Sequence, residues 1–304
     1  MPKPTLTLPS GLSEEYKNDI LAALTDWSAD ARLEGILLAG KACGFPYCAS
    51  EADVVVVIER GDPPNPFALR VVSGRTWLRV RVTSHEAFIG ELRTETLTPL
   101  KLALRGAFVA HDRRGRLADA LRTLEPLFNR GLPRARLAAA AEIAAALRDI
   151  EAALADASPY DAAAALSRAC VQLAKLEQLN DGGWPYGECP LATTKANAAR
   201  RVYMMVWRAG GDVEQLGGVA AEVLALFYRF LPAAAASIFD FLIKKGGSAA
   251  VASVIDALDL EGIAEIDLVL AALDAYGLVK VGREERPVPG MAGLTYNEPV
   301  LTLS

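Results

Sequence analysis

Two carboxylates directly precede a continuous run of apolar residues near the start of this chain. Glu51 and Asp53 flank Ala52, and residues 54–58 are all Val or Ile. Such an unbroken apolar run predicts a strand that is buried on both faces. Residues i and i+2 of a strand point to the same face, about 7 Å apart. The sequence therefore predicts Glu51 and Asp53 side by side at the edge of a buried sheet.

A glycine turn and a loop come before the two carboxylates. Residues 35–39 predict another strand, which ends at Gly40 and Lys41, and the loop runs from there to Glu51. Carboxylate oxygens are the ligands that Mg²⁺ prefers, and the backbone N–H groups of a tight turn can bind phosphate. We therefore expect a magnesium site beside a phosphate-binding turn.

This order of turn, loop, acid-x-acid and buried strand resembles the nucleotidyltransferase superfamily, the fold shared by DNA polymerase β and kanamycin nucleotidyltransferase. The resemblance extends over residues 12–128 and includes Thr76–Val82 as a later strand. It implies that Glu51 and Asp53 are catalytic and hold Mg²⁺, and that Gly40, Lys41 and Ser50 bind a nucleoside triphosphate, expected to be ATP. By the same resemblance, a nucleotidyl group would pass to a small molecule or to a protein side chain.

Two positions depart from the family pattern. Lys41 stands where the family has a phosphate-binding Ser, and the strand that should carry a third carboxylate has Arg79 and Arg81 facing one way. An arginine matches a carboxylate bidentately, so these residues either pair with Glu51 and Asp53 in place of a metal or bind the phosphates of a nucleotide beside a bound Mg²⁺. The residues leave both alternatives open.

After Gly131-Leu-Pro133 the composition becomes rich in Ala and Leu. Four helices are predicted, at 134–157, 160–180, 191–208 and 213–230, which favours an antiparallel bundle. The arrangement resembles the HEPN-like domain that commonly follows a nucleotidyltransferase fold. Ribonuclease members of that group use an Arg followed by a His. The segment has Arg200 and Arg201, but the two histidines of the chain are His85 and His111, so RNA cleavage is disfavoured.

The last segment resembles a winged helix. Helices are predicted at 235–245, 248–258 and 263–276, followed by two wing strands. The third helix carries Glu265, Asp267 and Asp274 without Lys or Arg, and an acidic face repels phosphate, so a protein contact is favoured over DNA binding. The predicted class is α+β, with a nucleotidyltransferase-like domain at 1–131, a helical bundle at 132–234 and a winged helix at 235–304.

Charge and composition limit the classes of partner. The chain of 304 residues has a formal net charge of −5, and residues 236–304 hold ten acidic residues against five basic ones. Nucleic-acid binders normally present a basic face, so nucleic acid is a disfavoured partner. The apolar stretch 216–243 is interrupted by charged residues and Pro232, which favours a buried helix pair over a membrane span.

The cysteines and the N-terminal residues help to predict the cellular location of the protein. The four cysteines, at 43, 48, 170 and 189, form no CxxC pair, so neither zinc nor a disulfide framework is expected. Residues 1–9 lack a basic stretch followed by an apolar one, so no secretion signal is expected and the predicted location is the cytoplasm.

Two functions follow from these expectations. The first is Mg²⁺-dependent transfer of a nucleotidyl group from a nucleoside triphosphate. The second is a catalytically degenerate form of the same fold that acts as a protein-interaction or winged-helix regulatory protein. The two differ in whether Glu51 and Asp53 face a cation or an arginine.

Overall fold

The computed structural model describes most of the chain. The described residues are 6–10, 12, 14–28, 31–39, 51–59, 68–72, 76–105, 107–184, 191, 197–287 and 294–304. Within these ranges, the side chains of residues 16, 23, 25–28, 51–53, 68–72, 76–79, 99 and 103 lie outside the description. The predicted turn residues Gly40, Lys41 and Ser50 fall outside the described residues.

The chain forms two compact units. The first comprises Met1–Arg130 and Tyr186–Thr193, and the second comprises Gly131–Pro185 and Thr194–Ser304. The class is mixed α+β, as predicted, with a small mixed sheet in the first unit and an antiparallel sheet near the C-terminus. The finer division at residue 235 into a bundle and a winged helix stays a prediction.

The described part of the first unit contains a five-stranded sheet in the order β3-β4-β2-β1-β5. Strands β2 and β4 are parallel, and the other neighbours are antiparallel. The buried apolar run after Asp53 therefore occupies the centre of the sheet, as expected for a strand covered on both faces. The strands are β1 (Leu33–Ala39), β2 (Glu51–Ile58), β3 (Ala68–Val72), β4 (Thr76–Ser84) and β5 (Phe108–Asp112).

One face of this sheet packs against α1 (Glu14–Ser28). Ile20 and Leu24 of this helix are fully buried in a cluster with alternate residues of β1, β2 and β4: Ile36, Leu38, Val54, Val56, Ile58, Val80 and Val82. Each such side chain stabilises the fold by roughly 1.5–3 kcal/mol on burial. Because side chains alternate along a strand, positions 51, 53, 79 and 81 belong to the opposite face.

Three short helices follow in the first unit: α2 (His85–Arg93), α3 (Pro99–Leu104) and α4 (Arg116–Arg122). Ser84 caps α2 by accepting a hydrogen bond from the N–H of Ala87, and Thr98 caps α3 by accepting one from the N–H of Lys101. The carboxylate of Asp112 accepts hydrogen bonds from the backbone N–H groups at the start of α4, at 2.9–3.3 Å. The carboxylate of Asp112 therefore fixes the start of α4.

The helices after residue 124 are α5 (Glu125–Ala155), α6 (Pro159–Asn180), α7 (Asn197–Ala209) and α8 (Val213–Ala234). Helices α6, α7 and α8 pack against one another. The predicted break at Pro133 is wrong, because α5 continues through it. Proline removes one N–H donor from a helix interior, and the Ala- and Leu-rich residues that follow, buried at Leu137, Ala140 and Ile143, compensate for that loss.

The C-terminal segment contains α9 (Ala236–Lys244), β6 (Ser248–Ala250), α10 (Val251–Ala257), α11 (Ile266–Ala275), β7 (Val279–Pro287) and β8 (Thr295–Leu303). The predicted helix at 248–258 starts later, because residues 248–250 pair with Thr302–Val300 of β8. Hydrogen bonds to a neighbouring strand satisfy the backbone there, and local helix preference is outweighed. The two predicted wing strands are present as β7 and β8.

Helix α8 is, among the described helices, the one long and apolar enough to cross a bilayer by length and composition. It also carries three charged residues, Glu214, Glu222 and Arg229. Its buried residues lie on the side that packs against α6 and α7, including Leu216, Val219, Val223, Phe227 and Leu231. Two helices, α8 followed by α9, occupy residues 216–243 as predicted, but only one-third of the apolar window of α8 is buried, so the prediction of a buried pair is confirmed only in part.

Candidate active site

The two predicted metal ligands begin the central strand of the first unit. Glu51 and Asp53 lie in β2, two residues apart, so both positions belong to one face of the sheet. Asp53 pairs with Ala39, the last residue of β1, on one side and with Arg79 of β4 on the other, while Glu51 pairs with Trp77. The backbone thus brings the acid pair next to the residue that leads into the predicted phosphate turn.

Both predicted arginines occupy the same face as the acid pair. Arg79 is the register partner of Asp53, and Arg81 is the partner of Val55. Partners in adjacent strands point to the same face of a sheet, so positions 53, 79 and 81 are neighbours there. The description covers the side chain of Arg81 but not that of Arg79.

The guanidinium of Arg81 forms an ion pair with a carboxylate that the sequence did not single out. Its Nη2 lies 2.7 Å from Oε2 of Glu91 in α2, and each side chain is about one-quarter exposed, at 26% and 24%. A half-buried pair is screened less by solvent than a surface pair. Glu91 lies ten residues beyond Arg81 in the sequence, and only the return of α2 across β4 brings the two together.

Two threonines hold Glu91 in place. The hydroxyl of Thr98 donates to Oε1 of Glu91 at 3.2 Å, while the hydroxyl of Thr94 donates to the backbone carbonyl of Glu91 at 2.9 Å. One carboxylate oxygen therefore binds Arg81 and the other binds Thr98. This arrangement fixes the rotamer of Glu91 and, through it, the direction of the Arg81 guanidinium.

A fully buried lysine supports the same turn. The Nζ of Lys101 donates to the hydroxyl of Thr94 at 2.7 Å, to the carbonyl of Thr96 at 2.8 Å and also to the carbonyl of Thr94. Burial lowers the pKa of this ammonium, and the nearby charge of Glu91 acts in the opposite direction. Lys101 thus closes the turn between α2 and α3. A lone Lys within the apolar hexapeptide Pro99–Leu104 was the available sequence signal.

An open groove of about 440 Å³ adjoins the end of α2. Its apolar side includes Ile89 and Leu92, and its charged side includes Arg93, Asp119 and Arg130. Arg130 lies 3.6 Å from Glu95, so the rim already contains a pair of opposite charges. The groove belongs wholly to the first unit and has the size of a small-molecule site.

A second buried carboxylate lies in β1. Glu34 is 2% exposed, and its Oε1 is 3.1 Å from Nδ1 of His85, the first residue of α2. Glu34 was not predicted as a site residue, and His85 was named only as one of the two histidines of the chain. The side chain that caps α2 is that of Ser84, and the imidazole of His85 lies against Glu34. The surrounding apolar residues of β1 gave no local signal for a buried acid.

The described side chains do not assemble a three-ligand metal centre. No group of three His, Cys, Asp or Glu residues among them is close enough to hold an ion. The carboxylates of Glu51 and Asp53 are not part of that set, and two hard oxygen ligands on one face of a strand match the preference of Mg²⁺.

In the second unit, acidic residues of the C-terminal segment pair with arginines of α5. Arg148 binds Glu265 through both Nη atoms, at 3.1 and 3.2 Å, and Nη1 of Arg134 lies 3.5 Å from Asp259. Glu265 was predicted to face a partner molecule, and this contact already occupies it within the chain. Asp267 and Asp274 of α11 are exposed.

Comparison with known proteins supports the fold. No family model matches the chain, and no curated protein matches its sequence. The crystal structure of a nucleotidyltransferase-like protein from Exiguobacterium sibiricum 255-15 is similar, with a TM-score of 0.54 and 11% identity over 94% of this chain and 99% of that chain. At this identity the likeness concerns the fold, so the chain has a nucleotidyltransferase-like fold. The HEPN-like and winged-helix assignments stay predictions.

Proposed function

We propose that this protein is a nucleotidyltransferase that transfers a nucleotidyl group from a nucleoside triphosphate, ATP by preference, to an acceptor hydroxyl. The observation that carries the proposal is the position of Glu51 and Asp53 at the start of the central strand, opposite the end of β1. The similar fold of a nucleotidyltransferase-like protein supports it. We also propose a cytoplasmic location, where nucleoside triphosphates are plentiful.

Each candidate residue has a separate role in this proposal. Glu51 and Asp53 hold Mg²⁺, which when bound would neutralise charge on the leaving pyrophosphate. The backbone of Gly40 and the side chains of Lys41 and Ser50 bind the triphosphate. Arg79 and Arg81 lie on the face of the acid pair and bind phosphate oxygens, since guanidinium matches phosphate bidentately.

Glu91 adds a part that the sequence did not predict. It engages one edge of the Arg81 guanidinium, which orients that side chain before any nucleotide binds. An oriented charge costs no rotamer entropy when the ligand arrives, so it stabilises the complex more than a free side chain would. In this role Glu91 is a positioning residue.

A second candidate function rests on Arg79. Because it is the direct register partner of Asp53, an ion pair between the two would take the place of the metal. The protein would then be a degenerate member of the fold that acts through protein contacts or as a regulatory protein. Removing the arginine should weaken ATP binding in the first candidate and lower the stability of the fold in the second.

Titration calorimetry of ATP with and without Mg²⁺ separates them. The enzyme proposal expects Mg²⁺-dependent binding that is lost in Asp53→Asn and weakened at least tenfold in Arg79→Gln. The matched control is Glu86→Gln, at an exposed acid of the same unit that lies outside the groove, which should bind normally. No binding to the wild type, together with an Arg79→Gln variant less stable than the wild type, would establish the degenerate form.

A further inference from the structure

Helix α7 presents an unusually basic and apolar surface. Asn197–Ala209 contains three arginines and no acidic residue, although the whole chain has a net charge of −5. Arg201, Met204 and Arg208 follow one another at spacings of three and four, so they line one face of the helix. Met204 is 48% exposed and Trp207, beside them, is 68% exposed.

The aromatic part of this surface is ordered. The rings of Tyr203 and Trp207 meet edge to face, with centroids 6.3 Å apart and an interplanar angle of 71°. In the described part of the chain, neither Arg201 nor Arg208 forms an ion pair. Tyr, Trp and Arg are the residue types enriched at the centres of protein interfaces.

Helix α11 has the opposite charge at the same spacing. Ile266–Ala275 carries Asp267 and Asp274 and no basic residue, with the small Ala271 between them, and all three are exposed. Asp267 and Asp274 are seven residues apart, as are Arg201 and Arg208, and seven residues rise about 10.5 Å along a helix. The charge of Asp267 acts on Arg148, whose pKa is raised first by its hydrogen bond with Glu265 and to a lesser degree by Asp267.

We propose that α7 of one copy of this chain packs against α11 of a second copy, so that the protein is a homodimer. Arg201 and Arg208 pair with Asp267 and Asp274, and Met204 covers Ala271. In a two-fold dimer, α7 of each copy would pack against α11 of the other, so the same contact would form twice. Trp207 is covered at the same contact.

The charge pattern favours a second copy over a nucleic acid. A polyanion that approached α7 would meet a chain with a net negative charge and exposed acids on α11. A second copy instead places those acids opposite the arginines. The two faces therefore complement each other in sign, in spacing and in side-chain size.

Sedimentation velocity over a dilution series tests the proposal. The wild type should sediment as a dimer, while the variant Arg201→Glu/Arg208→Glu and the variant Asp267→Arg/Asp274→Arg should each sediment as a monomer. An equimolar mixture of the two variants should form a dimer again, since the acidic α7 of one variant meets the basic α11 of the other. If the reversed charges merely destabilised the fold, mixing the two variants would not restore the dimer.

Lys280→Glu/Arg283→Glu is the matched control, because it changes the charge of exposed residues of β7 by the same amount and should leave the dimer intact. If a reversed variant fails to fold, Arg201→Ala/Arg208→Ala should still raise the dimer dissociation constant at least tenfold. A monomeric wild type, a monomeric mixture or a dimeric Arg201→Glu/Arg208→Glu variant would overturn the proposal. Binding of a poly(U) oligonucleotide to a monomeric wild type, lost in that variant, would assign the face to nucleic acid instead.

Discussion

Arg81 of β4 and Glu91 of α2 form an ion pair of 2.7 Å on the face of the sheet that carries Glu51 and Asp53. The pair joins the strand to the helix that follows it. It also explains how an arginine is held beside the candidate site, because Glu91 is itself bound by Thr98. The direction of Arg81 thus depends on the turn between α2 and α3.

Replacing Glu91 tests this connection. Glu91→Gln removes the charge while keeping the shape of the side chain, and we expect the free energy of unfolding to fall by about 1–2 kcal/mol, the range for a charged hydrogen bond that is partly buried. Glu86→Gln, on the exposed side of the same helix, should change it by less than about 0.5 kcal/mol. Urea denaturation measures both, and equal losses would contradict a specific role for Glu91.

Replacing Lys101, whose ammonium group is buried, should destabilise the protein more than replacing Glu91. Lys101→Met keeps the length of the side chain but leaves the carbonyls of Thr94 and Thr96 without this donor, so we expect a loss of about 2–4 kcal/mol. Lys280→Met, at an exposed position of β7, is the control and should be nearly neutral. Thermal unfolding compares the two variants. A stable Lys101→Met variant would show that water can replace the ammonium in that turn.

The strand that begins with the acid pair and the later strand at Thr76–Val82 could be predicted from the sequence, because alternation and apolar runs are local patterns. Glu34 and Glu91 were missed, since only the tertiary fold brings their partners His85 and Arg81 near. Lys101 was missed although Thr94 and Thr96 are close to it in the sequence, because its burial depends on the packing around α3. The predicted break at Pro133 was wrong for the same reason. A proline weakens a helix locally, whereas the burial that maintains α5 comes from the surrounding structure.

Gly35 of β1 lies so close to α4 and β5 that a larger residue at this position should destabilise the protein. A Cβ at this position would lie 2.1 Å from Cδ1 of Leu117, the buried residue of α4, and 2.8 Å from the carbonyl oxygen of His111 in β5. Leu117 could shift, but the strand carbonyl is held by its neighbours, so we expect Gly35→Ala to cost about 1–3 kcal/mol. Guanidinium denaturation measures this loss.

Gly90 provides the control for that substitution. It lies within α2, and an added Cβ would meet nothing within 4 Å. Alanine is favoured over glycine in a helix interior, so Gly90→Ala should stabilise the protein by about 0.5–1 kcal/mol. A Gly35→Ala variant as stable as the wild type would mean that β1 and β5 separate easily at this point.

The lowered pKa of His111 predicts how the stability of the protein depends on pH. Burial lowers the pKa of this imidazole below its ordinary value of 6.5, the charge of Asp112 opposes that shift, and Arg113 adds to it. The unfolded chain therefore takes up a proton near pH 6.5 that the folded chain binds only at lower pH. Above pH 6.5 the imidazole is neutral in both the folded and the unfolded chain. The contribution of His111 to the free energy of unfolding therefore changes only below that pH.

The free energy of unfolding should consequently fall as the pH drops through 6.5, and His111→Gln should reduce that fall. The variant His85→Gln removes the other histidine of the chain and should leave the contribution of His111 in place. Urea denaturation at a series of pH values, with wild type and both variants compared, measures the slope. Identical slopes for wild type and His111→Gln would mean that water reaches the imidazole in the folded protein, because only a solvated ring titrates alike in both states.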